Sequence, residues 1–352
     1  MTGCARGSRV LKMRLGGNIM RNCVFGVVAL LSAALAVPAS ADPLTIRTGW
    51  VVATSGYSPL VLEKKELLKH LGKSYTLEPQ HFRGTAPQLT AFAGGQIDIA
   101  TIAYSTLALA VLNAKLDDIR IVADGFQDGV EGHLSTPYMV RNDSGIKTID
   151  DLKGKVIASN GFGGAYDVAM RSMLRQHHLE DKRDYSVIES DFAHMSAMLL
   201  ERKADLVIGA MPYAIEPDIR DNAHVLFRER DAVGRTQMIM MVARAEFLAA
   251  NRAALQDFFE DMLASLRWFH NPANRTEAIA TVARVTKQPV ERLNAYLYSS
   301  NDFYYDLDGK PDLTALQHNI DTLRELGMIK SDVNVKRYVD LSFVEEAAKR
   351  LK

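Results

Sequence analysis

Five loops of this sequence share a composition that could hold a small molecule. They are residues 55–58, 83–85, 103–106, 160–166 and 211–213, each between a stretch that reads as a strand and one that reads as a helix. Tyr57, Tyr104, Phe162, Tyr166 and Tyr213 supply aromatic faces, and Ser58, Thr85, Ser105 and Ser159 supply hydroxyls. Gly84, Asn160, Gly163 and Met211 complete the set, and Arg83 is the best placed cation. Ligands of open α/β sheets sit beyond the carboxyl ends of the strands, where helix N-termini present amides and a partial positive charge. Such loops suit a planar or apolar body between rings, with a carboxylate or sulfonate at the helix ends and Arg83. The plainer alternative makes the tyrosines edge packing and Arg83 a solvated surface residue.

No catalytic set accompanies these loops: no Ser/His/Asp arrangement or carboxylate pair stands out. Asn160-Gly-Phe-Gly-Gly164 follows a strand, but Tyr166 occupies the third-glycine position of a dinucleotide turn, and the Gly-Lys-Ser/Thr of a P-loop is missing. Its glycines suit a backbone that approaches a small anion, or a plain helix-entry turn. His177 and His178 are adjacent, so on a helix they point about 100° apart and chelate poorly, and His194 has no partner at metal-ligand spacing. No metal and no cofactor is expected. Asp98 and Asp205 read as caps at turns into strands, and Met238 to Met241 as core.

The elements around the loops alternate. Strands are expected at 44–50, 75–79, 97–102, 119–123, 156–158, 185–189, 206–209, 225–227 and 237–243. Helices are expected at 61–71, with Ser58 as cap and Pro59 in the first turn, and at 86–93, from 104, at 165–178, at 194–202 and from 211. From Ala245 onward the pattern is helical and amphipathic, as in 255–269 and 313–326, with 301–310 as a loop. The order helix, acidic residue, apolar strand occurs at 86–102 and again at 194–209, which points to two related lobes. This alternation predicts an α/β fold, each lobe a mainly parallel sheet flanked by helices.

Residues 135–230 read as one lobe inserted into another made of 42–134 and 231–352, with two crossings as a two-stranded hinge. Residues 1–41 read as a cleaved export signal: five basic and no acidic residues, an apolar run from Cys23 to Ala36, and Ala39-Ser40-Ala41 as the cleavage site. Met13 or Met20 is an alternative start. Without that segment the 352 residues become 311, and the 42 basic and 42 acidic residues become 37 and 42, a formal net charge of −5. That balance argues against a nucleic-acid partner. Both cysteines, Cys4 and Cys23, lie in the segment, so residues 42–352 contain no thiol.

Gly84-x-x-Pro87-x-Leu89-x-Ala91-x-x-x-Gly95-x-Ile97-Asp98-Ile99-Ala100 and Ile149-x-Asp151-Leu152-Lys153-Gly154-Lys155-Val156-Ile157-Ala158 carry a resemblance. The stretches from Gln237 through Arg244 to Leu248 and from Val339 to Val344 add to it. The chain resembles the substrate-binding proteins of the nitrate/sulfonate/taurine class of ABC importers, which have the type II periplasmic binding protein fold. The resemblance implies a monomeric periplasmic receptor that closes about its hinge on a small anionic ligand and hands it to a permease and its ATPase. The ligand would be a sulfonate, taurine, nitrate or an aromatic or organic carboxylate, and the tyrosine-rich loops favour an organic anion over nitrate. Two alternatives stand beside it: an enzyme on the same fold, similar to pyrimidine-precursor synthases, and a ligand-sensing subunit. The porphyrin-pathway deaminase on this fold needs a cysteine that residues 42–352 lack, and the resembling synthases carry a cysteine cluster that is absent too.

Overall fold

The computed structural model describes residues 42–352; the expected export signal, 1–41, lies outside the described residues. The chain begins with β1 (Leu44–Trp50), α1 (Ala53–Gly56), α2 (Ser58–Val61), β2 (Tyr75–His81), α3 (Thr85–Ala93), β3 (Ile99–Ala103), α4 (Tyr104–Leu112) and β4 (Ile119–Asp128). A second series follows: β5 (Pro137–Arg141), β6 (Val156–Ser159), α5 (Ala165–Gln176), β7 (Ser186–Glu189), α6 (Phe192–Leu200), β8 (Leu206–Ile208), α7 (Pro217–Asn222), β9 (Ala223–Arg228) and α8 (Glu229–Val233). β10 (Thr236–Arg244) precedes α9 (Ala245–Ala250), α10 (Arg252–Phe269), α11 (Arg275–Thr286), α12 (Val290–Asn294), α13 (Leu313–Glu325) and α14 (Ser342–Arg350).

Two five-stranded sheets result, in the orders β2-β1-β3-β10-β4 and β7-β6-β8-β5-β9. The orders are equivalent, so the expected kinship of the two lobes extends to their topology. In each sheet four strands run together and one opposes: β10 is antiparallel to β3 and β4, and β5 to β8 and β9. The opposing strand is the one that arrives from the other lobe. It enters at the carboxyl ends of its neighbours and must run against them.

The same polar tie holds both sheets. Asp98 accepts the amide of Arg47 at 2.9 Å and gives its own to the Arg47 carbonyl at 2.8 Å. Asp205 does the same with Val156, at 3.0 and 2.7 Å. These aspartates therefore tie the turn before their own strand to the backbone of the neighbouring strand, a capping role at turns into strands as expected. Met238, Met240 and Met241 are buried in the first core, as expected from the apolar return strand.

The region from 61 to 71 departs from the expected helix: α2 stops at Val61 and only a 3-10 turn, Lys65–Leu67, follows. The cause is distant. Buried Asp261 on α10 takes the amides of Lys69 and His70 at 2.9 and 3.0 Å, so they are lost to helix carbonyls. Lys64 is drawn to Glu277 at 2.6 Å and over the Trp268 ring. Nor does Ser58 cap α2; Tyr57 holds that position, and Pro59 stands in the first turn.

Two crossings, 129–136 and 229–235, join the sheets and are hydrogen-bonded to one another. Glu229 donates its amide to the Thr136 carbonyl at 2.8 Å, and Arg230 donates to Ser135 Oγ at 3.0 Å. Gly129 has φ +76°, and a Cβ there would lie 2.9 Å from Arg230 Cβ and 3.1 Å from the Gly234 carbonyl. Gly129→Ala should thus cost at least ~1–2 kcal/mol for the left-handed backbone alone, with crowding of the second crossing added. Urea titration is the check: an unchanged midpoint would mean that the crossings do not meet at this residue.

Candidate functional site

The first-lobe loops bring two helix starts together. α3 has Gly84 before it and α4 has Ala103, and neither residue has a side chain that could cap; no side chain caps either helix. Their first turns touch through a 2.7 Å hydrogen bond between the hydroxyls of Thr85 and Thr106. First-turn amides of neighbouring helices without side-chain caps favour negative charge at that spot. Arg83, one turn away, is exposed and pairs with no carboxylate among the described residues. Ser105 is buried beside Tyr104. Tyr104 is fully buried, and its hydroxyl donates to the Ala165 carbonyl at 3.0 Å, a bond between the lobes. Burial raises its phenol well above the usual 10, so it stays a donor.

The second-lobe loop is arranged differently. Phe162 donates its amide to Glu189 Oε1 at 2.9 Å, Gly163 to Asp167 Oδ2 at 2.9 Å, and Gly164 to the Gly161 carbonyl at 3.1 Å. Three amides of the glycine turn already have acceptors, which corrects the expectation of a free anion cradle there. Asp167, buried, also pairs with Arg171 at 2.8 Å, and that guanidinium lies over the Phe162 ring. Phe162 and Asn160 are exposed. Tyr166 is half-buried, edge-on to Phe192, and its carbonyl accepts the Tyr138 hydroxyl at 2.7 Å. Met211 and Tyr213 are half-buried, and the helix expected there is a single 3-10 turn, Tyr213–Ile215, ahead of α7.

Tyr57 is not grouped with Tyr104. Its backbone is left-handed, its ring is buried, and its hydroxyl is 2.6 Å from His270 Nε2. Burial pushes His270 down to about 4, so it is neutral at pH 7. Tyr298 and Tyr305 pack around the pair, and beyond them lies a cavity of about 520 Å³ under residues 298–308.

Sequence reasoning missed the acids at the waist. Asp128 ends β4 and Glu229 opens α8, both fully buried. Asp128 accepts the Thr136 amide at 3.0 Å and hydroxyl at 2.6 Å; Glu229 Oε2 lies at hydrogen-bond distance, 2.7 Å, from the Tyr138 hydroxyl oxygen. Burial raises both, Asp128 to about 6. Glu229 was hidden because Arg228-Glu-Arg-Asp231 reads as a solvated charge run. For Asp128 the signal was an acid closing a strand that also carries Ile119, Ile121, Val122 and Phe126.

The histidines proposed and rejected as ligands lie at the surface, His177 at 3.2 Å from Asp150 and His194 at 2.8 Å from Asp191.

A family model described as NMT1/THI5 like matches residues 130–274, which span the second sheet, the return strand and α10. No protein of curated function matches the chain. Among solved structures it is similar to the periplasmic aliphatic sulphonate binding protein SsuA from Escherichia coli, at 18% identity and TM-score 0.68, over 86% of this chain and 100% of that one. It is similar to the periplasmic nitrate-binding protein NrtA from Synechocystis PCC 6803, at 15% identity and TM-score 0.68, over 88% and 90%. It is also similar to the desulfurization enzyme DSZB, at 13% identity and TM-score 0.64, over 88% and 100%. The fold thus serves binding proteins and at least one enzyme. The chain has the two-lobed α/β fold of periplasmic sulphonate- and nitrate-binding proteins, the fold implied by the resemblance carried by residues 84–100 and 149–158.

Proposed function

We propose that this chain is a solute receptor that closes its two lobes on a small organic anion, a sulfonate, taurine or an aromatic or organic carboxylate, and releases it unaltered. The observation that carries the reading is the pair of adjacent helix starts of α3 and α4, without side-chain caps, with Thr85, Thr106 and Arg83 beside them. In this reading residues 135–230 move as one body against 42–134 and 231–352. Ligand contacts from both lobes exist only in the closed form, so binding shifts the population toward closure. The Tyr104 to Ala165 bond is then one of the contacts made on closing. A periplasmic location after removal of 1–41, a monomeric state, and delivery to an ABC permease and its ATPase complete the proposal. The similarity to a sulphonate-binding and a nitrate-binding protein supports anion binding. Tyr104, Ser105, Tyr166 and Tyr213 would wall the site, with Gly84 and Thr85 at its floor; Asn160, Phe162, Gly163 and Met211 face it from the second lobe, and Tyr57 and Ser58 support it from behind.

Calorimetric titration of residues 42–352 with taurine, ethanesulfonate, nitrate and benzoate tests the reading. At least one anion should bind, and Arg83→Ala or Thr85→Ala should weaken it ~10–100-fold, the worth of a hydrogen bond to a charged group. Unaltered affinity in both variants would put the anion elsewhere. Conversion of the bound compound would favour the enzyme alternative that DSZB illustrates.

A further inference from the structure

We propose that the cavity under residues 298–308 is a second ligand site, and that it takes an aromatic amine or another flat organic cation. Its volume of about 520 Å³ is that of a small-molecule site. Rings dominate its walls: His133, His270, Tyr298, Phe303, Tyr304 and Tyr305. Their faces are held from behind. Phe303 is stacked on Phe126 at 4.5 Å, His270 lies 4.6 Å from Tyr305, and His133 stands edge-on to Tyr304 at 5.3 Å. Preset ring faces of this kind attract a cation.

Charge points the same way. The lining contains Asp302, Asp306 and Asp308 and no lysine or arginine. Two of the three are engaged. Asp302 accepts the amides of Tyr298 and Phe303, each at 2.8 Å, and Asp308 is paired with Arg267 at 2.6 Å. Asp306 uses Oδ1 for the amides of Asp308 and Lys310 and leaves Oδ2 without a partner among the described residues. One free carboxylate oxygen and six rings match a ligand with an ammonium on a flat body. An anion would meet Asp306 with nothing to balance it.

This site is independent of the α3/α4 helix starts, and the test keeps the two apart. Residues 42–352 are titrated with benzylamine, benzoate and benzyl alcohol, which share a ring and differ in charge. Benzylamine should bind best, and Asp306→Asn should weaken it about fivefold or more. Asn retains the Oδ1 acceptor that the loop amides need, so the fold is kept, and unchanged circular dichroism and melting verify this. Arg83→Ala and Thr85→Ala should leave benzylamine binding unaltered. The proposal is overturned if benzoate or benzyl alcohol binds as well as benzylamine, if benzylamine does not bind, or if Asp306→Asn has no effect.

Discussion

Residues 42–352 are expected to melt at a lower temperature at about pH 8 than at about pH 6.5. Four buried carboxyls cause the difference. Burial pushes Asp128 up to about 6, Asp124 and Asp302 up to about 7, and Glu229 well above 4.5. Each keeps its proton in the folded chain at pH values where the unfolded chain has lost it. Such a group stabilises the fold fully below its unfolded pKa, and that stabilisation drains away as the pH rises through the folded value. His270 works in the other direction. Its depressed value, about 4 against 6.5, means full stabilisation above 6.5 and loss as the pH falls, so it does not offset the carboxyls in this window. The carboxylates held low by their partners, such as Asp151, Asp184 and Asp191, lose stabilisation only on the acid side, below their ordinary value of 3.8.

The two groups near 7, Asp124 and Asp302, should together lose on the order of 1–2 kcal/mol across the window, at 1.36 kcal/mol per unit, and Glu229 adds in the same direction. For a chain of this size that is roughly 2–5 °C. Glu229→Gln should flatten the profile, because it removes a titrating carboxyl whose Oε1 has no partner among the described residues and whose Oε2 is bonded to the Tyr138 hydroxyl. Scanning calorimetry at a series of pH values reads the effect directly. A melting temperature that is flat or rises over this interval would show the waist and loop acids to be ionised in the fold.

The second large effect is at Tyr104. The side chain is fully buried between α4 and the start of α5, and Ala165 and Val168 of α5 belong to the same apolar core as the first sheet. Tyr104→Ala should cost about 3–5 kcal/mol, the range for removing a large buried ring. It would also orphan the Ala165 carbonyl. Tyr104→Phe keeps the ring and loses about 1 kcal/mol with the hydrogen bond. The pair separates packing from closure. Denaturant midpoints should fall strongly for the alanine variant and little for the phenylalanine variant. Scattering should then show Tyr104→Phe expanded relative to the parent chain without added ligand. If both variants scatter as the parent does, the Tyr104 bond is not a latch between the lobes.

Much of the architecture was legible because it is local. The Gly84 to Ala100 stretch carries a helix start, a helix and a buried strand in sequence, and the structure has α3 and β3 there. The apolar return strand, the amphipathic helices after Ala245, and the recurrence of acid before strand in both lobes were read in the same way. The failures share a cause. Residues 61–71 have a helical pattern, but Asp261, nearly two hundred positions away, takes their amides. The glycine turn looks open to an anion, but Glu189 and Asp167 reach into it. Tyr57 looks like a wall of the same site as Tyr104, but its hydroxyl is turned to His270.

Periodicity, turn chemistry and capping residues act over a few positions, so the sequence by itself determined the alternation of elements, the two related lobes and which loops begin helices. The tertiary structure alone decided which loop amides stay free, which acids are buried, and where a cavity opens. Those outcomes depend on pairs such as Asp128 with Glu229, Tyr104 with Ala165, and His133 with Tyr304, which are brought together only when the lobes and the long C-terminal loop pack. Desolvation then sets their charge, and no local pattern records how much water a side chain will lose.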